Sequence, residues 1–504
     1  MRCYLLFRHP IFCRHASLRL DSAFCRHAPL PMGSIRHLPL MALALLVLGG
    51  CAPVAPYRPP PAIEVGSLVG ALPTLVSPQA LPDAWWRLYK DPTLDALIMQ
   101  ALKENRDLAV AQAHLARSDA VLEATDAAYS PQTDLALGGN EGKHAADQTV
   151  ASARRDDTTT RWAWAPAFSV SYEVDLWGRV RHLIDAAHAD ADALQAARDA
   201  VRVTVVAATT SSYAQACSYG AEIDVAKETV DIAQHLADLT QKQRDQGLIS
   251  DFDVARALGQ VATAQAAVPA LQGKRQAALA ELAVLTGKPS SEVPMAAAQC
   301  HTTPVLTQPF PVGDGAALLR RRPDLRQAER QLAAANARVG VATAALYPSI
   351  VLGGSVDLVS SNGSLASLGD RYAMSWGIGP LISWRFPNTA VSRATLAQAK
   401  ADNRAALATF DGRVLDALKE ADQALAFYQT QWSRHRALQV ACEEDRRALH
   451  LAKLNYEAGA LDFLDVLDAE RSLATARASL AISTAALSTD QIAVFKALGG
   501  GWEI

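Results

Sequence analysis

Residues 391–459 read VSRATLAQAKADNRAALATFDGRVLDALKEADQALAFYQTQWSRHRALQVACEEDRRALHLAKLNYEAG, a stretch without proline and with one internal glycine, Gly412. At a rise of 1.5 Å per residue, an uninterrupted helix here would be about 100 Å long. Apolar side chains recur at a spacing near 3.5 residues within it, at Val414, Leu418, Ala421, Leu425, Tyr428 and Trp432. This period is typical of helices that pack along their length. The stretch therefore predicts a long helix lying against a neighbour.

A second stretch, residues 178–247, has the same character, with no proline and only Gly220 inside it. Both stretches end at a glycine and continue similarly, as GLISDFDVARALGQVATAQA from Gly247 and as GALDFLDVLDAERSLATARA from Gly459. Glycine commonly follows a helix C-terminus, and acidic residues favour the first turn of the next helix. We therefore predict two helical hairpins with sharp tips, related by an internal repeat.

The repeat extends upstream of both hairpins, where Ala-rich segments (107–131 and 324–348) lead into alternating stretches typical of strands. We expect a first repeat over 93–300 and a second over 301–504. The first is predicted to contain a helix, a β-hairpin at about 132–175, a long helix at about 178–246 and a return helix at about 250–286. The second is predicted to contain a helix at about 324–346, a β-hairpin at about 349–386, a long helix at about 391–458 and a return helix at about 462–498.

Tryptophans lie on or beside the predicted strands, at Trp162, Trp164, Trp177, Trp376 and Trp384. Tryptophan favours membrane–water interfaces, although packing within the hairpins also accounts for it. Four strands cannot close a barrel in a membrane, where every strand edge must pair, whereas three copies would supply twelve. The expected fold class is mainly α with a small β part. A long α-helical barrel of coiled-coil-like hairpins would join four strands that contribute to a trimeric 12-stranded transmembrane β-barrel.

The N-terminal region indicates export from the cytoplasm. Residues 32–50 contain a short apolar core, LPLMALALLVLGG, which ends just before Cys51 and is typical of a signal peptide. We interpret this segment as a lipoprotein signal peptide, for the reason given below with the family resemblance. The alternative is an ordinary signal peptide, in which Cys51 has no role. Residues 1–31 are interpreted as an extended or misassigned N-terminus, and residues 51–92, which begin with a Pro-rich run, as an anchor and extended tether.

Composition and motifs exclude several functions. A net charge of −3 over 504 residues argues against a nucleic-acid partner. Three cysteines, Cys217, Cys300 and Cys442, lie far apart without CxxC spacing, so we interpret them as small buried residues and neither a disulfide framework nor a zinc site. The chain has no HExxH or GxSxG motif, and Thr286-Gly287-Lys288 lacks the upstream glycine of a phosphate loop. We expect no enzymatic activity and no metal.

Four longer segments carry a family resemblance: YEVDLWGRVR (Tyr172–Arg181), RRPDLRQAERQLAAANARVG (Arg321–Gly340), LYPSI (Leu346–Ile350) and KALGGGW (Lys496–Trp502). Through them the chain resembles TolC-type outer-membrane efflux proteins, and most closely the NodT/OprM-like lipoprotein subfamily of resistance-nodulation-division pump outer-membrane factors. The resemblance implies a homotrimer with a 12-helix periplasmic tunnel. It also implies a periplasmic adaptor (membrane fusion) protein and an inner-membrane resistance-nodulation-division transporter as partners.

The segment LGGC resembles a lipobox, which implies cleavage before Cys51 and acylation of this residue. Anchoring in outer-membrane lipid would follow, and no cofactor other than this covalent lipid is expected. The resemblance also implies a periplasmic gate at the second tip. It assigns an acidic ring to Asp465 and Asp468, a link between neighbouring helices to Tyr456, and a basic partner of Asp468 to Arg471.

The corresponding residues of the first tip, Asp251, Asp253 and Arg256, are weaker candidates for the same layer. The two tip turns, at Gly247 and Gly459, are compatible with docking of the adaptor. Taken alone, the acidic residues also suit a helix N-terminus, and an Asp468–Arg471 pair also suits a solvent-exposed surface.

The predicted function is a passive exit duct in the outer membrane of a Gram-negative bacterium, with its helical tunnel in the periplasm. It would conduct small molecules from a tripartite efflux pump to the exterior. A type I secretion channel, and a non-channel periplasmic coiled-coil scaffold or adaptor, are the alternatives.

Overall fold

The computed structural model describes residues 57–59, 76–77, 79, 81–155, 157, 160–306, 308–311, 321–360, 363–461 and 463–500. The first half contains β1 (Val76–Ser77), α1 (Pro92–Glu104), α2 (Arg106–Asp126), β2 (Gln132–Gly142), α3 (Ala145–Arg154), β3 (Arg161–Glu173), α4 (Arg179–Asp245), α5 (Asp251–Leu285) and α6 (Met295–Ala298). The second half contains β4 (Phe310–Pro311), α7 (Pro323–Ala344), β5 (Ser349–Leu358), β6 (Met374–Ser383), α8 (Ala390–Glu457) and α9 (Phe463–Ala497). The expected signal peptide and Cys51 lie outside the described residues.

The two long helices are continuous, with 67 residues in α4 and 68 in α8. Each therefore extends about 100 Å. Helix α4 packs against α5, α7, α9 and α2, and α8 packs against α9 and α7. The seam predicted on α8 is confirmed, because Val414, Ala421, Leu425 and Tyr428 are all buried. On α4 alanine is the commonest buried residue and most of the others are small, which lets the helices approach closely.

Two strands of each half join in one four-stranded sheet with the order β2-β3-β5-β6, in which all neighbours are antiparallel, whereas β1 and β4 form a separate parallel pair. The pairing of β3 with β5 connects the two repeats. Strands β2 and β6 are the edges, and each pairs on one side only within the described part of the chain. The polar connection between β2 and β3 contains the short helix α3.

The main core surrounds two adjacent tryptophans, Trp85 and Trp86, which are almost fully buried. The ring of Trp85 stacks on Phe495 near the end of α9, with centroids 4.3 Å apart. Residues 81–91, which the sequence assigned to the tether, therefore belong to the folded body. The run of prolines that suggests an extended tether, Pro53, Pro56 and Pro59–Pro61, lies well before them in the sequence. Earlier in the same region, the hydroxyl of Tyr57 donates to Glu329 of α7 at 2.9 Å.

Two arginines of the RRPDLR segment fasten this core. Arg321 hydrogen-bonds the carbonyl of Leu81 and pairs with Asp83. Arg322 is buried at the start of α7, where its guanidinium pairs with Asp324 and with Glu420 of α8 and donates to the carbonyl of Ala497 at 3.0 Å. The segment thus joins the N-terminal region, α8 and the end of α9.

The interpretation of the cysteines is wrong for two of the three. Cys217 of α4 and Cys300, in the connection that follows α6, form a disulfide although 83 residues separate them. Cys442 is a free, buried thiol, as expected. Spacing along the chain could not reveal the bond, because the connection returns to α4 only after the whole first hairpin has been completed.

Candidate functional site

The register of the sheet determines which side chains share a face, because directly paired residues of neighbouring strands point to the same side. Phe168 of β3 pairs with Leu135 on one side and with Val356 on the other, and Val356 pairs with Trp376. Alternation along each strand then assigns every second residue to this face. The four strands therefore have two chemically distinct faces.

The face that contains Phe168 is almost entirely apolar. Its members are Leu135, Leu137, Trp162, Trp164, Pro166, Phe168, Val170, Tyr172, Ile350, Leu352, Val356, Leu358, Met374, Trp376, Ile378, Pro380 and Ile382, with Gly139 and Gly354 between them and Thr133 and Glu141 near the two ends. Many of these side chains are exposed, up to 83% for Ile378. Such a continuous exposed apolar face is the feature expected of strands that contact lipid.

The opposite face carries small and polar residues. Its members are Gln132, Asp134, Ala136, Gly138, Asn140, Gly142, Arg161, Ala163, Ala165, Ala167, Ser169, Ser171, Glu173, Ser349, Val351, Gly353, Ser355, Asp357, Ser375, Gly377, Gly379, Leu381 and Ser383. Only Val351 and Leu381 are large apolar residues. Small and polar side chains suit the wall of a water-filled lumen, which places water on one side of the sheet and lipid on the other.

Aromatic residues occur at both ends of the strands. At the end that joins the helices, Trp177 stacks on Tyr347 with centroids 4.7 Å apart, and Trp384 stacks on Phe386 at the same distance. At the other end, Trp162 stacks on Trp164 at 5.3 Å. Two aromatic belts, separated by strands of 10 to 13 residues, match the spacing of two membrane interfaces.

The segment YEVDLWGRVR forms the corner between β3 and α4. Both carboxylate oxygens of Asp175 accept backbone N–H groups of the first helical turn, from Val180 at 3.1 Å and Arg181 at 2.9 Å. Glu173, at the end of the strand, pairs with Arg179. The indole of Trp177 donates to the carbonyl of Pro348 at 2.7 Å. These bonds fix the sheet rigidly on the long helix.

The two hairpin tips have the same backbone structure, as the repeat predicts. Gly247 and Gly459 adopt positive φ angles of 75° and 74°. At each tip the glycine N–H and the next N–H bond back to the helix, as in Leu248 to Gln243 and Ala460 to Asn455. This pattern is a Schellman motif, which requires a left-handed residue. No atom of the described residues lies within 4 Å of a Cβ built on either glycine, so the positive φ angle is the observed reason for glycine at both positions.

The predicted gate residues lie on one side of α9. Asp465, Asp468 and Arg471 are exposed and follow one another at three-residue intervals, whereas Val466 and Leu473 are buried on the opposite side. Asp468 and Arg471 form no ion pair with each other in the described residues, so the pairing expected for them does not occur within one chain. Tyr456, at the end of α8, is 40% exposed.

A different ion pair holds the second hairpin together. Lys453 Nζ of α8 lies 2.9 Å from Oε1 of Glu470 on α9, whose side chain is only 19% exposed. Higher up, Arg477 of α9 pairs with Glu228 of α4. The sequence reasoning missed both pairs.

At the first tip, Asp253 forms a capping box with Ser250 and therefore serves the helix end. Asp251 lies 3.4 Å from Arg244 across the turn and is highly exposed. The acidic residues here thus have local partners on the hairpin itself.

The described residues contain no group of three or more His, Cys, Asp or Glu side chains that could hold a metal ion. One helical stretch, Leu464–Ala497, is long and apolar enough to cross a membrane by composition. It packs on α8 and α4, and a core helix has the same composition, so this stretch is weak support for a spanning helix.

A sheet with a lipid-type face and a lumen-type face, mounted on paired long helices, defines a channel-forming outer-membrane protein. The chain belongs to the outer membrane efflux protein family, whose model matches residues 97–288 and 316–500. The two matched segments correspond to the two structural repeats.

Individual relatives agree with this family assignment. The chain is 30% identical over 479 residues to the pyoverdine export outer membrane protein OpmQ of Pseudomonas putida, covering 93% of this chain and 98% of the relative. It is 29% identical to the solvent efflux pump outer membrane protein SrpC of the same species, covering 92% and 98%. A solved structure of the outer-membrane channel OprN superposes with a TM-score of 0.80 at 31% identity, covering 89% of this chain and 99% of that one.

Proposed function

We propose that three copies of this chain form the outer-membrane exit duct of a tripartite efflux pump. The single observation that carries the proposal is the sheet, whose apolar and polar faces are sorted strand by strand and whose two edges, β2 and β6, have no neighbour within the described chain. In lipid each unpaired backbone group is costly, so open edges must pair with another copy.

Closure requires several copies, and the family resemblance sets their number at three. Four strands are too few for a barrel, and three chains give twelve, an even number in the range of bacterial barrels. The helices support the same association, because α8 and α5 leave apolar side chains such as Phe427 and Leu258 exposed in the single chain. Contacts between neighbouring chains would cover them and close a helical tunnel below the sheet.

The partners in this proposal are a periplasmic adaptor and an inner-membrane resistance-nodulation-division transporter, which supplies the energy. Support comes from relatives that are named for pumps or export, including the solvent efflux protein SrpC. Family membership favours a channel over a non-channel scaffold. A type I secretion channel is the remaining competitor, and the two differ in the partner that copurifies: a proton-driven pump in one case, an ATP-binding exporter in the other.

Acylation of Cys51 would hold the chain at the same membrane as its strands. Its sequence context supports this assignment, since LGGC follows a short apolar segment. Two or more acyl chains anchor a protein stably, because each buried methylene contributes about 0.8 kcal/mol. Mass spectrometry of the mature N-terminus tests the assignment. An unmodified Cys51, or a mature chain that begins at another residue, would contradict it.

The gate in this proposal is the second tip. Three copies of Asp465 and Asp468 would face a common axis, where converging carboxylates attract cations and repel one another. Arg471 would then meet Asp468 of a neighbouring copy, consistent with the absence of that pair within one chain. Tyr456 would contact the adjacent helix, and the turns at Gly247 and Gly459 would meet the adaptor.

The decisive experiment measures mass and conductance of the detergent-purified full chain. Light scattering is expected to give three chains per particle, and insertion into a planar bilayer is expected to give discrete conductance steps. A protein that stays monomeric and water-soluble without detergent would contradict the duct. A trimer that never conducts, even after both tip acids are replaced, would also contradict the duct.

A further inference from the structure

The connection after α6 lies across three helices and has no role in the proposed duct. We call residues 299–306 the strap. Its Cys300 forms the disulfide with Cys217, which is fully buried on α4. One residue later, Nδ1 of His301 lies 2.6 Å from Oδ2 of Asp224, also on α4. The strap is therefore attached to one side of α4 by a covalent bond and by a polar contact.

The backbone of the strap also lies unusually close to α4. A Cβ at Gly220 would be 2.4 Å from the carbonyl oxygen of Cys300, so only glycine fits between the two attachment points. From α5, Arg275 donates through Nη2 to the carbonyls of Ala298 and Cys300, both at 2.8 Å. The two helices of the first hairpin thus hold the strap jointly.

The far end of the strap is bound to α9. Ser488, which is fully buried, donates to the carbonyl of Pro304 at 2.6 Å. The buried amide of Gln491 accepts from the N–H of Leu306 and donates to its carbonyl, each at 2.9 Å. One short segment therefore connects the base of the first hairpin with the helix that carries Asp465 and Asp468.

We propose that the Cys217–Cys300 bond is an oxidation-dependent clasp that fixes the strap to α4 and thereby ties the base of the first hairpin to α9. The closed loop contains the whole lower part of that hairpin, including the turn at Gly247. The second hairpin has no such bond in the described residues, since Cys442 is a free thiol. The clasp thus fixes one hairpin at its base and leaves the other to side-chain contacts.

Formation of the clasp requires a co-reactant. The two thiols lose two protons and two electrons to the disulfide of a thiol–disulfide oxidoreductase, whose own disulfide becomes two thiols. Such exchange takes place in an oxidising compartment, which agrees with an exported chain. Because Cys217 is inaccessible once the strap has docked, the exchange precedes docking.

Hydrogen exchange of the full-length protein tests the clasp. The variants are the wild type, C217S/C300S, and Cys442→Ala as a matched control that removes a thiol away from the strap. In C217S/C300S the amides of the strap should exchange at least about tenfold faster, because no covalent bond then restrains the strap from separating locally from α4. The control, and the peptides around Gly459, should exchange as in the wild type.

Two results would overturn the proposal: equal strap exchange in wild type and C217S/C300S, or alkylation of both thiols in the unreduced, denatured wild type. If the double variant does not accumulate, the wild-type chain is refolded with and without reductant. Lower recovery with reductant, restored by reoxidation, supports the clasp, and equal recovery contradicts it. None of these readouts depends on conductance, so failure of the duct and failure of the clasp are distinguishable.

Discussion

Nη2 of Arg322, at the start of α7, lies 2.8 Å from Oε2 of Glu420 on α8. The same guanidinium pairs with Asp324 at 2.7 Å, and its side chain is only 9% exposed. Burial by itself lowers the pKa of Arg322, but the bonds to Asp324 and Glu420 together outweigh it, so the pKa is raised. Arg322 is thus the link between the second hairpin and the main core.

Replacing this link should destabilise the fold. Arg322→Ala removes the guanidinium bonds to the Ala497 carbonyl and to the carboxylates of Asp324 and Glu420, so the free energy of unfolding should fall by about 2–4 kcal/mol. Arg322→Lys should recover part of this, because lysine keeps the charge but not the forked geometry. Guanidinium unfolding in detergent measures both. The control is Lys419→Ala, which breaks only an exposed pair with Asp416 and should leave the stability nearly unchanged. Equal effects of the two substitutions would contradict the link.

Glycine substitutions should have opposite signs at the tip and within the helix. Gly459→Ala forces a side chain into a left-handed conformation and should destabilise the protein by about 1–2 kcal/mol. Gly412→Ala, in the interior of α8 with open space around it, should stabilise it by about 0.5–1 kcal/mol. Thermal unfolding of both variants checks the prediction, and destabilisation of similar size at the two sites would show that the φ angle is not the cause.

The assignment of the sheet faces predicts different effects at adjacent positions of β3. Phe168→Arg places a charge on the apolar face near the middle of the strand, and should cost about 2–4 kcal/mol if that face meets lipid. Ser169→Arg, one residue on, lies on the opposite face and should fold, with an altered conductance. Heat-modifiable mobility of the protein extracted from membranes reports folding. Tolerance of Phe168→Arg together with failure of Ser169→Arg would reverse the faces.

Burial raises the pKa of Glu222 on α4 above its ordinary 4.5, with Lys274 opposing the shift. The folded protein then holds this proton more tightly than the unfolded chain, so stability falls as the pH rises above 4.5. Glu222→Gln should therefore raise the midpoint of unfolding at pH 7 and leave it unchanged at pH 4. The control is Asp238→Asn, exposed on the same helix. A lower midpoint for Glu222→Gln at pH 7 would indicate that Glu222 is needed in its charged form.

The tip acids predict the ion preference of the proposed duct. Neutralising both, in D465N/D468N, should lower the preference for cations over anions, since a ring of carboxylates concentrates cations. Reversal potentials in a salt gradient across a planar bilayer measure this preference. Asp251→Asn, at the other tip, is the matched comparison and should leave the potential nearly unchanged. A larger shift of the reversal potential for Asp251→Asn than for D465N/D468N would place the ion-selective constriction at the first hairpin.

Much of the architecture could be predicted because it depends on short-range properties of the chain. The absence of proline and the apolar period of 3.5 residues are sufficient to predict α8. The repeated glycine turns are sufficient to predict both hairpin tips. The alternation within β5 and β6 also predicts that each strand has two different faces. Only the pairing of Phe168 with Val356 shows which faces of neighbouring strands lie on the same side of the sheet. Residues 81–91 were misassigned because a buried Trp-Trp pair next to a Pro-rich segment has no periodic signal.

The sequence by itself determined the lengths of the helices, the positions of the turns and the apolar period of each strand, because these follow from backbone freedom and side-chain spacing. Only the tertiary structure decided which distant residues meet. The Cys217–Cys300 bond, the attachment of Arg322 to Glu420 and the pairing of Lys453 with Glu470 depend on the path of the chain between partners. That path is determined by packing of whole helices, a property that no local pattern contains.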